Sequence, residues 1–241
     1  LEVKKMSRDA ILGRVREALS VKTDTHVREV AKKSSHSLPV LANGPDGRTQ
    51  AVKEFLPFVG ESLEDHIAAF KVLSDKLQTE FIVVPTIVSA RQTLDELRQK
   101  HQWERVGIHD HELVQSCVDQ LPVEFLNTSS NYDAHALEKC DVGISGCDAL
   151  IAQTASALVT NHSAGGRALS VLPPHHVVVA DASQMVTTMA DGFAIIREKH
   201  HEKWPSFISF ITGPSRTADI ERVLVLGAHG PKKLTIIMIS E

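Results

Sequence analysis

Hydrophobic positions along the chain change period several times. Ser7 is placed to cap a helix in which Ile11, Val15 and Leu19 recur every four residues, with Leu12 widening the stripe. This predicts an N-terminal helix docked by one face. From 20 to 50 the chain turns polar and ends in the turn cluster NGPDG, so neither period takes hold and a long polar arm is expected. Helical spacing returns over 65–79, where Ile67, Phe70, Leu73 and Leu77 line one face, and FIVVP (81–85) then reads as a buried strand. A helix over 87–100, the strand RVGIH (105–109), the helix ELVQSCVDQL (112–121), the strand VEFLN (123–127) and a helix over 131–139 continue the alternation.

Short apolar runs separated by helices of this size are the pattern of βαβ units around a parallel sheet. The stretch DVGISGCDALIAQTASALVTN (141–161) breaks the rhythm, being rich in small and β-branched residues, and predicts a hairpin-like or mixed part of the sheet. HHVVVAD (175–181) is the clearest central strand, with Pro173 and Pro174 ending what precedes it. A helix over 183–200 and two final strands, SFISFIT and KKLTIIMIS, complete the reading. The expected organisation is an N-terminal helix and polar arm over 1–50, followed by one α/β domain over 51–241.

At 241 residues and 42% hydrophobic content, the chain suffices for one sizeable core. A formal net charge of -4 with scattered Lys and Arg argues against nucleic acid as partner, since phosphate binding draws on clustered cations. No apolar run approaches the roughly 20 residues that span a bilayer, and the opening LEVKKMSRD lacks the apolar core of a signal peptide, so the cytoplasm is the expected compartment. Three cysteines, Cys117, Cys140 and Cys147, include no C-x-x-C pair. Iron–sulfur clusters normally take four thiolates, so any cluster this chain works with is expected in a partner protein, and no cofactor is expected in the chain itself.

The segment TGPSRTADIE (212–221), directly after SFISFIT, places Gly213, Ser215, Arg216, Thr217 and Asp219 at the end of a strand. Hydroxyls, turn amides and a cation there suit a small anionic ligand, and the carboxyl edge of an open α/β sheet is where such ligands bind. Asp219 opposes a simple phosphate unless Arg216 or a metal neutralises it, and the same residues also suit an ordinary capping turn. Neither a P-loop nor a dinucleotide fingerprint is present. In GGRALS (165–170), two glycines precede Arg167, a residue type suited to bidentate carboxylate recognition, although most arginines are solvated. Thirteen histidines invite metal readings at HDH (109–111), at the pairs 175–176 and 200–201, and at His229. No HExxH or CxxC supports them. His109 and His111 would share a strand face, which allows a metal, but surface histidines are the commoner case. His229, held in a loop by Gly227, Gly230 and Pro231, is the histidine most suited to face a ligand.

TGPSRTADIE followed by GAHGP (227–231) resembles the end of the lactate-utilisation protein C family, which carries a LUD domain. DVGISGCDALIAQTASALVT and GRALSVLPPHHVVVADASQMV are similar to the family's central and adjoining segments, so the resemblance covers about the last hundred residues. It implies a three-layer α/β fold with a mostly parallel sheet, like the NagB/RpiA/CoA-transferase group. It also implies a part in oxidising L-lactate to pyruvate beside two partner subunits that carry the iron–sulfur clusters. One departure stands out. Gln153 occupies a place where the family usually has glutamate, and Ala155 replaces a glycine. An amide cannot ionise, so a CoA-transferase mechanism through position 153 is excluded. Gln153, Thr154 and Ser156 remain able to position a ligand, or to be a polar strand face satisfied by neighbours.

Three functions follow. The first is a non-iron–sulfur component of L-lactate utilisation that binds a small anionic ligand, partner subunits or both. The second is a free-standing binding protein or transferase-like enzyme for a small phosphorylated or acyl compound. The third is an interaction module without chemistry of its own.

Overall fold

The computed structural model describes residues 57–129, 131–217, 225–227 and 229–241. The expected N-terminal helix and polar arm lie outside the described residues. The first described helix, α1 (Leu63–Leu77), starts two residues before the expected position 65 because Ser62 and Asp65 form a reciprocal capping box. It stops where Gln78 takes a left-handed conformation. The chain continues through β1 (Glu80–Val84), α2 (Ile87–His101), β2 (Arg105–Ile108), α3 (Glu112–Val118), β3 (Glu124–Asn127), α4 (Ala134–Glu138) and β4 (Val142–Ser145). It then forms β5 (Ala149–Ile151), β6 (Ser156–Thr160), β7 (His175–Asp181), β8 (Met185–Val186), α5 (Met189–Lys199) and β9 (Ile208–Ile211). A short ribbon of β10 (Arg216–Thr217) and β11 (Val225–Leu226) precedes β12 (Lys233–Ile239).

Six strands form one sheet in the order β1-β12-β7-β4-β2-β3, and every pairing is parallel. Both faces are covered, so the central strands carry apolar residues at consecutive positions. Val177 and Val179 of β7 and Ile237 and Ile239 of β12 pack with α2 and α3 on one face. Val178, Ala180, Ile236 and Met238 pack on the other with α1 and a second sheet. Fully burying each valine, isoleucine or methionine among them stabilises the fold by about 1.5–3 kcal/mol, which makes the β7–β12 pair the anchor of the domain. The layers are thus helices, parallel sheet, and a mixed layer whose outer face is closed by α5 through Ile196.

Three expectations change. FIVVP is an edge strand, with β12 as its partner in the sheet, and Val83 is exposed. The hairpin in 141–161 is present as β5–β6, but it belongs to a separate four-stranded sheet, β8-β5-β6-β9. Strand SFISFIT joins that sheet, antiparallel to β6. The following TGPSRT segment therefore does not sit at the carboxyl edge of the parallel sheet. Finally, the helix expected from 183 begins at Met189, because Asp181 and Gln184 cap a 3-10 turn and Thr188 with Asp191 form the true capping box.

Candidate functional site

β2 and β4 are neighbours whose chains leave in opposite directions. From β2 the chain runs through α3 to β3 on the helical face, whereas from β4 it enters the second sheet on the other face. Open parallel sheets bind ligands in the crevice outside the carboxyl ends of the strands at such a switch point. Here the crevice is flanked by His109-Asp110-His111 after β2 and by Gly146-Cys147-Asp148 after β4.

His109 is 1% exposed, and its Nε2 accepts the Gly146 N–H at 3.4 Å. Gly165, in a left-handed conformation, lies against it so closely that a Cβ there would be 2.4 Å from His109 Cβ. Thr128 fixes this roof by donating its hydroxyl to the Ile108 and Gly165 carbonyls. The His111 ring lies 5.4 Å from the His109 ring and directly over Gly146, where a Cβ would come within 2.8 Å of the imidazole. Its Nδ1 is buried and has no hydrogen-bond partner among the described residues. Burial, and then the neighbouring His111, lower the His109 pKa to about 4. Burial likewise lowers that of His111. Both imidazoles are therefore neutral near pH 7.

Asp148, 6% exposed, accepts the Ser163 hydroxyl at 2.6 Å and the Lys199 ammonium at 3.4 Å. Lys199 ends α5 and its side chain is half exposed, so one charged group of the crevice meets solvent while its counter-charge is buried. Behind them Ser145 donates to the Gly146 carbonyl at 2.9 Å. Its oxygen therefore accepts from His176 Nε2–H at 2.9 Å, which leaves His176 Nδ1 as a buried, unpartnered acceptor. The crevice thus combines neutral imidazoles, a buried carboxylate and an exposed ammonium, a set that can hold a small anion and exchange a proton with it.

The residues singled out from the sequence form other groupings. Gln153 and Thr154 occupy the β5–β6 turn, and Gln153 Nε2 donates to the Pro57 carbonyl at 3.2 Å. Thr154 accepts from Ser156, which bonds Thr212 at 2.6 Å, so this turn meets the start of TGPSRT. Gly213 has a φ of +92° and packs against the Leu77 carbonyl, which also accepts from the Arg216 guanidinium. Ser215 N–H donates to Pro231 O and Gly227 N–H to Ser215 O, both at 2.9 Å, tying the segment to the HGP turn. Thr217 pairs with Val225, and His229 is exposed in the turn. Asp219 lies outside the described residues. Arg167 sits at the opposite end of β6 and β9, donating to the Ser206 carbonyl at 2.6 Å with its guanidinium over Phe207. None of the eight described residues contributes a hydrogen bond to the crevice. The signal that marks the crevice was present in the sequence as HDH after one strand and SGCD after another; their adjacency was not.

The three cysteines are reduced and buried. Burial pushes the Cys117 thiol up to about 11 and raises those of Cys140 and Cys147. Among the described residues no group of three His, Cys, Asp or Glu side chains is arranged to hold a metal, and no helix is long and apolar enough to cross a membrane.

Fold and crevice together define an α/β protein of the open parallel-sheet class with a polar site at the switch point. A crystal structure of a DUF162 family protein from Deinococcus radiodurans has the same fold, with a TM-score of 0.59 at 18% identity, covering 75% of this chain and 99% of that one. The family model for the LUD domain matches residues 27–239. A lactate utilization protein C from Geobacillus sp. (strain WCH70) is 30% identical over 199 residues, 76% of this chain and 82% of that protein. Another from Geobacillus thermodenitrificans is 26% identical over 235 residues, 90% of this chain and 96% of that protein. The chain belongs to the LUD-domain family, among the lactate utilization protein C proteins.

Proposed function

We propose that this chain is a component of an L-lactate utilisation system that has no iron–sulfur cluster of its own, works beside cluster-bearing subunits, and holds a small anionic ligand in the crevice between β2 and β4. The observation that carries this reading is the convergence of His109, His111, Gly146, Asp148 and Lys199 at the switch point, in a chain whose relatives are named for lactate utilisation. Lys199 supplies the cation for a carboxylate, and the partly exposed imidazole of His111 supplies a hydrogen-bonding group beside it. Asp148 keeps the net charge of the crevice low, which suits a monoanion over a doubly charged phosphate. The three cysteines form no C-x-x-C pair and are buried in three separate parts of the core, which supports assigning the cluster chemistry of lactate oxidation to the partners.

Deleting this chain from its host is expected to abolish growth on L-lactate while leaving growth on pyruvate intact, with the wild-type chain restoring it. Unimpaired growth of the deletion strain on L-lactate would exclude this role. The purified chain alone is expected to be colourless and to show no lactate oxidation.

A further inference from the structure

A second polar cavity opens at the opposite, amino-terminal edge of the parallel sheet. It measures about 220 Å³ and lies between His101, Trp103, Pro174, His175, Lys232 and Lys233. Lys232 precedes β12 and Lys233 opens it, and their backbone N–H groups donate to the Pro174 carbonyl at 2.8 and 3.3 Å, so the backbone of both is tied to the end of the sheet. Gly227 makes room for one of them: a Cβ at that position would come within 2.2 Å of Lys232 Cγ, and the glycine's φ is +77°. Gly227 and the start of β12 thereby place two adjacent cations at one cavity mouth.

The charge balance there favours an anion. Lys233 Nζ donates to His101 Nδ1 at 3.1 Å, which requires that nitrogen to be an acceptor and leaves the ammonium without a counter-charge. Neither Lys232 nor Lys233 has a carboxylate oxygen within 4.0 Å among the described residues. Two acids are near. Asp141 lines the cavity, but its Oδ2 already receives the Glu104 and Arg105 amides at 2.8 and 2.9 Å. Glu80 is directed to Lys100 and to Thr235. Behind the cations, Trp103 is 3% exposed and meets His175 edge-on with ring centroids 5.3 Å apart, so the inner wall is aromatic. An ammonium pair in front of an aromatic wall recognises a molecule with a charged head and an apolar body.

We propose that this cavity binds a small carboxylate with an apolar body, its head held by Lys232 and Lys233 and its body against Trp103 and Pro174. The site is separate from the crevice between β2 and β4 and does not depend on the function assigned there.

The chain contains two tryptophans, so Trp204→Phe leaves Trp103 as the sole tryptophan, excited selectively at 295 nm over the single tyrosine. Titrating this full-length variant with benzoate is expected to give a saturable change in Trp103 emission. Lys233→Met should weaken it about tenfold or more, the loss of one charge-assisted contact. Lys232→Met, at an exposed position, should also weaken it while the circular dichroism spectrum is unchanged. Lys199→Met in the crevice should leave the titration as it was. Inorganic phosphate should bind more weakly than benzoate, because it has nothing to set against Trp103. The proposal is overturned by a benzoate titration with no saturable response, by equal responses in both Lys→Met variants and the parent, by phosphate binding as tight as benzoate, or by loss of binding in Lys199→Met.

Discussion

Lowering the pH from 7 to 5 will destabilise this protein far more than its carboxylates alone account for. Burial, followed in each case by neighbouring positive or titrating groups, holds His175 at about 3 and His176 and His109 at about 4, against 6.5 for a free imidazole. His175 repeats the arrangement of His176. Thr235 donates to Glu80 and so accepts from His175 Nε2–H, leaving His175 Nδ1 buried and unpartnered. These folded-state values are depressed, so all three rings are neutral in the native protein while the unfolded chain takes up protons below about pH 6.5. The stability they contribute is full above that pH and is lost as pH falls towards 4. Each ring contributes a slope of up to about 1.4 kcal/mol per pH unit. Together they remove roughly 3–4 kcal/mol between pH 6 and 5, a large part of a typical total of about 5–15 kcal/mol. Urea midpoints measured at pH 7.5, 6.5 and 5.5 should fall steeply across the last interval. A flat profile from 7.5 to 5.5 would contradict the burial of these imidazoles.

Gly143→Ala is expected to cost about 3 kcal/mol and to lower the thermal midpoint by roughly 6–12 °C. An added Cβ there would lie 2.4 Å from the Leu169 backbone oxygen and 3.2 Å from Pro173 Cγ, and neither obstacle can rotate away. Gly107, one strand over and paired with Gly143, is the comparison. Its Cβ would clash with the methyl ends of Leu137 and Leu169, at 2.8 and 2.9 Å, which can shift rotamer, and would touch the Val142 backbone oxygen at an ordinary 3.7 Å. The alanine variant at 107 should therefore cost distinctly less. Thermal melts showing Gly107→Ala to be the more damaging would reverse the assignment of which backbone approach is tight.

Much of the fold follows from local pattern. HHVVVAD and KKLTIIMIS are apolar at consecutive positions because both faces of β7 and β12 are covered, and they pair from Lys233↔His175 to Ile239↔Asp181. FIVVP has the same composition, yet β1 lies at an edge. Sequence pattern reports how apolar a strand is and not how many neighbours it has. The second sheet was illegible for a related reason. The run 141–161 holds three strands, of which β4 joins one sheet and β5–β6 the other, and the chain crosses between layers within the three residues Gly146, Cys147 and Asp148. Nothing in their composition marks a change of sheet.

The candidate site divides along the same line. Short-range chemistry such as HDH is visible in the sequence, but His111 and Asp148 stand 37 residues apart and interact only because β2 and β4 are neighbours in the parallel sheet. Lys199 arrives from a further 51 residues along the chain through the end of α5. The glycine-rich loop that carries Arg167 contributes its backbone instead, with Gly165 sealing His109 while the guanidinium turns to the Ser206 carbonyl. The TGPSRT segment serves the amino-terminal side, bracing α1 through Leu77 and the HGP turn through Pro231.

The central claim is that function resides in the crevice between β2 and β4, and its most direct test is complementation of the deletion strain on L-lactate with His111→Ala. His111 is only partly buried and caps α3 without a side-chain hydrogen bond, so its removal should leave the fold intact. The account predicts normal levels of folded protein and no growth on L-lactate. Growth at the wild-type rate with His111→Ala would contradict it.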